Sequence, residues 1–361
     1  MALNIIWKTI DSKDVKHQIP CTKQNDVFVQ NSRNIIKNIM SDKDKRLLVV
    51  VWPCSMDHED SLIDYAKRIQ QMQENFWDTL FFVIRCYPSK PRSATGWTGI
   101  LSHGEKSNKQ EEWNMNDGIL FTRKLFQQII DMKLPIATEA LYPDMTENYL
   151  GDLVSYSCIG SRSCNNELHG NYAAALDYAV WLKNGEAGDY TKLINFLKKA
   201  KKSKWEQFSL GDIIVETLWN NYAHIILRWT DQAGKKQINY NRETLQEINT
   251  LLEQNDMKSM IIIDCSHDNA IWDDGKKYAE QQTIVAHTVI DMIEELKNVW
   301  LDNIALKWIM IESYLYNGNQ IDDLINNPCP RHGLSYTDPC LWIEETEKLI
   351  QQLYHRLRRS F

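Results

Sequence analysis

Glycine is scarce in this 361-residue sequence, and long apolar segments are missing altogether. No stretch reaches the roughly 18 uncharged apolar residues that a membrane-spanning helix requires, so we expect no membrane partner. The N-terminus, MALNIIWKTIDSKD, lacks the apolar region of a signal peptide. The eight cysteines stand singly, without CxxC pairs, which is typical of reduced thiols rather than of a disulfide scaffold. These absences predict a cytoplasmic protein.

A basic field is also missing. The formal net charge is -7, and the lysines and arginines are mixed with acidic residues instead of forming blocks. The sequence therefore predicts no nucleic-acid partner. A small anionic substrate would need a local positive pocket.

The segment Arg46–Ser55 contains the apolar run Leu47–Val51. Five large apolar residues in succession, without alternation, are typical of a parallel strand that helices cover on both faces. Pro53 cannot continue the ladder because it has no N–H to donate, and it leaves Cys54 at the carboxyl end of the strand. Cys54 is then either a buried small hydrophobe, which is common for a lone cysteine, or a metal ligand.

The same plan recurs along the chain, where apolar runs alternate with amphipathic segments of helical period. The expected strands are Leu47–Val51, Leu80–Ile84, Pro135–Thr138, Cys158–Gly160, Ala179–Leu182, His224–Leu227, Met260–Ile263 and Leu306–Ile311. The expected helices include Asn31–Met40, Ser61–Glu74, Gly118–Met132, Thr146–Ser155, Arg242–Gln254 and Thr283–Leu296. Eight strand–helix units joined by right-handed crossovers predict an α/β fold, a (β/α)8 TIM barrel.

The barrel is expected to span residues 46–361 as one catalytic domain. Residues 1–45 form an N-terminal extension that we expect to make regulatory or oligomer contacts. A short insertion, with a helix near Lys192–Glu206 and a strand at Ile213–Glu216, precedes the sixth core strand.

Polar or ligating side chains follow every predicted strand. They are Cys54, then Arg85 with Lys90 and Arg92, then Glu139, Arg162, Lys183, Arg228, His267 and Glu312. In a barrel these positions share the carboxyl-end rim, where such enzymes place their active sites. A single arginine after a strand is as often a structural ion-pair partner, but packing alone does not explain eight polar ends out of eight. The set contains a cluster of cations, and cysteine, histidine and carboxylate groups suited to a divalent metal.

The chain contains ten short sequence motifs: PCS (53–55), RCYPSKPRS (85–93), GWTG (96–99), NDG (116–118), GSR (160–162), KNG (183–185), HIILR (224–228), IDCSH (263–267), ESYLYNGNQ (312–320) and SYTDPC (335–340). In order and spacing, the chain resembles class I 3-deoxy-D-arabino-heptulosonate 7-phosphate (DAHP) synthase, the microbial type regulated by aromatic amino acids. The resemblance implies a transferase of the shikimate pathway, which supplies aromatic amino acids. This family condenses phosphoenolpyruvate with erythrose 4-phosphate on a (β/α)8 barrel that requires a divalent metal.

The resemblance also implies roles for individual residues. The implied metal ligands are Cys54, His267, Glu312 and Asp338. The implied ligands of the phosphoenolpyruvate phosphate are Arg162, Lys183 and Arg228. Arg85 would bind its carboxylate, with Lys90 near the reacting carbons. The implied ligands of erythrose 4-phosphate are Arg92 and Ser93, where the family usually has threonine.

The chemistry of the reaction agrees with these roles. Two phosphorylated substrates bring several negative charges together, and guanidinium groups bind phosphate oxygens bidentately. A metal with an open coordination position makes an aldehyde electrophilic. The expected catalytic residues are Lys90, Arg85, Glu139 and His267, with Glu139 expected to position water or balance charge. A mixed ligand shell suits one divalent ion among Mn, Fe, Co, Zn and similar metals.

Tryptophan replaces glycine at several positions of the family pattern, which accounts for 14 glycines beside 13 tryptophans. The departures are Trp52, Trp181, Trp219, Trp229 and Trp308. They leave an alternative open, a silent paralogue that acts as a binding or regulatory subunit. Microbial members of the family are commonly homo-oligomers inhibited by an aromatic amino acid, so we expect a homodimer or homotetramer. The insertion at Ser203–Glu216 is several residues shorter than usual, so the identity of an aromatic amino acid effector stays open.

Overall fold

The computed structural model describes residues 5, 8–91, 97–104, 113–185, 188–202, 205–232, 234–272, 274–298, 304–320 and 330–360. The strands are β1 (Leu47–Trp52), β2 (Leu80–Arg85), β3 (Ile136–Glu139), β4 (Tyr156–Ile159), β5 (Val180–Lys183), β6 (Gln207–Leu210), β7 (Ile213–Glu216), β8 (Ala223–Leu227), β9 (Thr230–Gln232), β10 (Lys235–Gln237), β11 (Ser259–Asp264), β12 (Ile304–Tyr314) and β13 (Leu341–Trp342). Eight of them form a closed parallel barrel in the order β1, β2, β3, β4, β5, β8, β11 and β12, and β12 pairs back with β1. The predicted (β/α)8 barrel is confirmed.

At least one helix lies between each two barrel strands that are consecutive along the chain, and further helices precede the first strand and follow the last. The helices are α1 (Ser12–Gln18), α2 (Lys23–Met40), α3 (Glu59–Phe76), α4 (Ile100–His103), α5 (Met115–Asp131), α6 (Pro143–Leu150), α7 (Glu167–Ala175), α8 (Tyr190–Lys202), α9 (Arg242–Glu253), α10 (Gln281–Asn298) and α11 (Ile343–Ser360). The helix expected over Thr146–Ser155 instead begins at Pro143, because proline at the first helical positions lacks an N–H that would be unpaired there anyway. It ends at Leu150, and a 3-10 turn follows over Gly151–Leu153.

The barrel buries two apolar layers. Alternate strand residues such as Leu48, Val50 and Trp308 form the interior, and Ile36, Ile39 and Met40 of α2 belong to the same cluster. Helix α2 leads directly into β1, so its apolar face covers the amino-terminal end of the barrel. The opposite strand faces pack against the surrounding helices. Burial on both faces explains why the β1 sequence shows no alternation.

The N-terminal segment is attached to the barrel by hydrogen bonds to backbone carbonyls. The Arg33 guanidinium donates to the carbonyls of Gly151 and Val154 at 2.8 Å, and Arg123 Nε donates to the Ile19 carbonyl at 2.7 Å. The Tyr149 hydroxyl donates to the Ile10 carbonyl at 2.6 Å. The two guanidinium groups give stronger hydrogen bonds than neutral donors do, and together with the Tyr149 hydroxyl they hold residues 10–33 against α5, α6 and the turn after α6.

Two antiparallel hairpins and one extra strand are added to the barrel. β6 pairs with β7 before the sixth barrel strand, where the sequence predicts an insertion, and β9 pairs with β10 after that strand. β13 extends the end of β12 in parallel, and an antiparallel bridge joins Gly318 to Cys340. These pairings hold the loop that carries Asp338 against the carboxyl end of β12.

His224 lies in the barrel interior as a neutral side chain. Its Nδ1 is 2.9 Å from the Tyr222 carbonyl oxygen, and its Nε2 contacts the Tyr156 hydroxyl. A neutral ring satisfies both contacts, with Nδ1–H donating and Nε2 accepting the hydroxyl proton. Burial lowers the pKa of His224 to about 3 from its ordinary value of 6.5, because a charged imidazole would lose its water.

We expect this histidine to weaken the fold in mild acid. Below pH 6.5 His224 becomes protonated in the unfolded chain, whereas in the native chain it stays neutral down to about pH 3. The free energy of unfolding should therefore fall by about 1.4 kcal/mol per pH unit below pH 6 from this residue. Urea unfolding between pH 7.5 and 5 measures the slope.

The matched comparison uses His224→Asn and His355→Gln, because His355 is exposed. His224→Asn should be less stable at pH 7.5 and show a shallower slope, whereas His355→Gln should retain the native slope. An unchanged slope in His224→Asn would show that other groups cause the acid sensitivity.

Candidate active site

Three ligand-type side chains converge at the carboxyl rim of the barrel. The Cys54 sulfur and one carboxylate oxygen each from Glu312 and Asp338 all lie within 4.8 Å of one another. Cys54 follows β1, Glu312 lies near the end of β12, and Asp338 reaches them from the loop before β13. The Cys54 N–H donates to Cys340 Sγ at 3.2 Å, which ties the end of β1 to that loop. These three residues form a possible metal site.

His267 lies beside this cluster, although its ring is outside the group of three. His267 Nε2 is 3.8 Å from Glu312 Oε1, and its Nδ1 is 2.7 Å from Asp264 Oδ2. Burial opposes ionisation of Asp264, but the adjacent His267 ring lowers the pKa of this carboxyl to about 2. An ionised carboxylate that accepts a hydrogen bond from Nδ1–H leaves the lone pair of Nε2 free to bind a metal, an arrangement that is usual for metal-binding histidines. His267 has φ +51, a strained conformation of the kind found at functional sites.

Arg85 and Lys90 lie against the ligand cluster. Arg85 Nη2 donates to Glu312 Oε1 at 2.6 Å, and the Lys90 ammonium donates to Cys54 Sγ at 3.1 Å. Burial opposes ionisation of Glu312, but His267 and Arg85 hold its pKa below the ordinary value. Burial and Glu312 raise the pKa of the Cys54 thiol, and Lys90 opposes them.

The aromatic ring of Tyr87 lies among three of these cations. Its buried ring centroid is 4.4 Å from the Arg85 guanidinium carbon, 5.7 Å from Lys90 Nζ and 4.9 Å from Lys183 Nζ. An aromatic face attracts cations and offsets part of their mutual repulsion. Tyr87 thus helps three positive groups to share one small volume.

Lys183 and Glu139 form a buried ion pair at the ends of β5 and β3. The atoms Lys183 Nζ and Glu139 Oε2 are 3.0 Å apart. Burial opposes ionisation of Glu139, but Lys183 holds its pKa below the ordinary value. A Cβ at Gly160 would come within 2.1 Å of Glu139 Oε1, so any larger residue at the end of β4 would have to displace this carboxylate from its present position.

Two more of the predicted cations, Arg228 and Arg162, lie on the same rim. Arg228 donates to Ser161 Oγ at 3.1 Å, and Arg162 donates to the Pro91 carbonyl at 3.1 Å. Asn184 accepts from the Arg228 N–H at 2.9 Å and donates to the Trp229 carbonyl at 2.7 Å, which fixes the backbone at the end of β8. The predicted ligands Arg92 and Ser93 lie outside the described residues.

Three of the five tryptophans expected at glycine positions of the family are core residues. Trp52 packs edge-on against Tyr65 of α3 with 5.3 Å between ring centroids, so its ring lies toward the helix layer. Trp181 and Trp308 belong to the barrel interior. All three are fully buried.

The other two of these tryptophans occupy backbone conformations that favour glycine. Trp229 has φ +143 and Trp219 has φ +70. Such conformations cost about 1–3 kcal/mol for a residue with a side chain. These φ values agree with the expectation from the sequence that the family has glycine at these positions. The Trp229 ring is buried, with Lys236 Nζ 5.4 Å from its centroid, whereas Trp219 is 44% exposed.

Four residues at the rim were not assigned roles from the sequence: Tyr87, Asn184, Asp264 and Lys277. Tyr87 lies within the motif RCYPSKPRS and Asp264 within the motif IDCSH. Their proximity in sequence to residues with assigned roles could therefore have indicated that they belong to the site. Asn184 directly follows Lys183 in KNG, which is the same kind of signal. Lys277 comes ten residues after His267 on a loop, and no pattern in the sequence marks it.

The fold and site define a class of protein, a barrel enzyme with a possible divalent-metal site surrounded by cations suited to anionic substrates. The particular family follows from comparison. Residues 18–351 match the DAHP synthetase I family, and this chain belongs to that family. The predicted family is confirmed.

Characterised relatives span nearly the whole chain. The Tyr-sensitive phospho-2-dehydro-3-deoxyheptonate aldolase of Escherichia coli K12 is 31% identical over 350 residues, 96% of this chain and 92% of the relative. The Trp-sensitive enzyme of the same strain is 32% identical over 340 residues, 92% and 90% of the two chains. A solved phospho-2-dehydro-3-deoxyheptonate aldolase from Francisella tularensis SCHU S4 is 28% identical, covers 98% of both chains and superimposes with a TM-score of 0.86.

Proposed function

We propose that this chain catalyses the reaction of its family, the condensation of phosphoenolpyruvate with erythrose 4-phosphate to DAHP and phosphate. The observation that carries the proposal is the pairing of a thiol–carboxylate cluster with five described cations on one barrel rim. The cations are Arg85, Lys90, Arg162, Lys183 and Arg228. A silent paralogue has no evident need to keep this arrangement, because buried charges cost stability unless they are paired.

The donor set fits a divalent metal. Glu312 Oε2 is buried and has no hydrogen-bond partner among the described residues, which is costly unless a ligand completes it. Cys54, Glu312 and Asp338 would hold the ion, and His267 would join them through Nε2. A sulfur, a nitrogen and carboxylate oxygens suit first-row ions such as Mn, Fe, Co or Zn. When bound, the ion supplies a Lewis acid that polarises the aldehyde of erythrose 4-phosphate.

Arg85 is the proposed ligand of the phosphoenolpyruvate carboxylate. Its Nη2 is paired with Glu312, but Nε and Nη1 are buried without a hydrogen-bond partner among the described residues. Each of these two unpaired donors can form a charge-assisted hydrogen bond to an oxygen of a bound carboxylate. The same argument applies to Arg228, whose Nε is buried and lacks such a partner. We assign Arg228, with Lys183 and Arg162, to the phosphate of phosphoenolpyruvate.

The reaction joins C3 of phosphoenolpyruvate to the aldehyde carbon, after which water adds at C2 and phosphate leaves. Lys90 places an ammonium group beside the ligand cluster, where the aldehyde oxygen gains negative charge. Glu139 is held ionised by Lys183 and can orient the attacking water through its second oxygen. We assign erythrose 4-phosphate binding to Arg92 and Ser93.

We further propose the assembly and regulation expected from the sequence. The described relatives are named for sensitivity to tyrosine or tryptophan, which supports an aromatic amino acid effector for this chain. A homodimer or homotetramer with contacts through residues 1–45, and a cytoplasmic location, complete the proposal. Within the described residues, no helix is long and apolar enough to cross a membrane.

A steady-state assay tests the proposed reaction directly. Phosphoenolpyruvate loss is followed in the presence of erythrose 4-phosphate and Mn²⁺ for the native chain and for the Trp52→Gly, Trp229→Gly double mutant. We expect turnover in the native chain and no gain in the double mutant, because Trp52 packs toward the helix layer. Removing such a buried ring should cost about 3–5 kcal/mol of stability. A silent native chain that gains activity in the double mutant would instead support the paralogue hypothesis.

A further inference from the structure

Lys277 lies between two loops that carry proposed metal ligands. Its Nζ is 3.3 Å from Asp338 Oδ1 and 3.4 Å from Asp268 Oδ1. Asp268 directly follows His267, and its other oxygen is 2.8 Å from Lys236 Nζ. One ammonium group therefore joins the His267 turn to the Asp338 loop.

A short loop after that turn brings Lys277 back over the rim. Ile271 and Lys277 form an antiparallel bridge, and the Trp272 N–H donates to the Lys276 carbonyl at 2.8 Å. Gly275 has φ +77, the left-handed conformation that glycine adopts at no steric cost. The bridge fixes the backbone at Lys277, so its side chain reaches inward while Lys276 is exposed.

The two oxygens of Asp338 face different groups. Asp338 Oδ1 lies next to Lys277, whereas Asp338 Oδ2 is 3.7 Å from Cys54 Sγ. A carboxylate held by one oxygen cannot rotate freely, and its second oxygen keeps one direction. We propose that Lys277 is a positioning residue that fixes Asp338 through Oδ1 and so directs Oδ2 toward the metal position.

Lys277 is expected to keep its charge in this place. Its ammonium group lies within 3.4 Å of carboxylate oxygens of both Asp338 and Asp268. Two effects on metal binding then compete. The orienting contact favours binding, and loss of such a contact typically weakens a metal site by about 10–100-fold. The positive charge repels a divalent ion, so its removal alone would strengthen binding.

Mn²⁺ binding measured without turnover separates the two effects. The purified full-length chain is stripped with a chelator and titrated with Mn²⁺, and the paramagnetic resonance signal of free Mn²⁺ gives the dissociation constant. We expect Lys277→Met to raise the dissociation constant about 10–100-fold. Lys277→Arg, which keeps a charged donor, should restore binding to within about threefold of the native value. Lys276→Met, the same change one residue away, should leave binding unchanged.

Each outcome decides the matter. Equal or tighter Mn²⁺ binding by Lys277→Met would overturn the proposal, because repulsion would then outweigh positioning. A weakened site that Lys277→Arg fails to restore would also overturn it. If Lys277→Met does not fold, Lys277→Gln carries the test, with weaker binding expected. The inference rests on the proposed metal site, whose own failure is distinct: the native chain would then not bind Mn²⁺ at all.

Discussion

Cys54→Ala should lose both metal binding and DAHP formation. The thiol is one of three ligand-type groups within 4.8 Å of one another, and the Lys90 ammonium is 3.1 Å from its sulfur. Without the sulfur, the carboxylates of Glu312 and Asp338 would face Lys90 with an incomplete ligand shell. We expect turnover to fall on the order of 1000-fold, which corresponds to about 4 kcal/mol of lost transition-state stabilisation. Metal content of the purified protein and phosphoenolpyruvate consumption measure the two losses.

Cys86→Ala provides the control for this substitution. Cys86 is fully buried and follows β2 directly at the same rim, so its removal tests whether any buried thiol near the site is needed. We expect Cys86→Ala to keep its metal and most of its turnover. Full metal content and native turnover in Cys54→Ala would show that the ligand assignment is wrong.

Lys183→Met should destabilise the fold and abolish turnover together. Lys183 Nζ is 3.0 Å from Glu139 Oε2, and each side chain exposes 6% of its surface. Removal of the lysine leaves an unpaired carboxylate in a buried position, which typically costs about 3–5 kcal/mol. The variant also loses a proposed ligand of the substrate phosphate. Chemical denaturation measures the first effect, and the steady-state assay measures the second.

A second substitution separates stability from chemistry. Lys183→Met combined with Glu139→Gln removes the unpaired charge, so we expect most of the lost stability to return while turnover stays absent. Lys192→Met is the matched control, because Lys192 and Asp189 are also 3.0 Å apart but expose 68% and 39% of their side chains. An exposed pair contributes at most about 1 kcal/mol. A double variant that regains turnover would remove Lys183 from the proposed phosphate site.

The family and fold class could be predicted from the sequence because their signals are local. A strand buried on both faces needs an unbroken apolar run, as in Leu47–Val51, whatever the rest of the chain does. Proline after such a run ends the ladder and fixes which residue comes next. Because parallel barrel strands all end at one rim, the polar residues after the runs could be assigned to one site before any distance was known.

The directions of side chains and the paths of loops were decided only by the tertiary structure. Val51 and Trp52 both belong to the apolar layer between the barrel and its helices. Strict alternation of side chains along β1 would have predicted that the Trp52 ring points into the barrel interior instead. Lys277 reaches Asp338 because the Ile271–Lys277 bridge turns its loop back over the rim. Asp264 and Glu312 meet the two sides of one His267 ring although Glu312 is far away in sequence. Such contacts depend on the packing of distant segments, which no local pattern in the sequence contains.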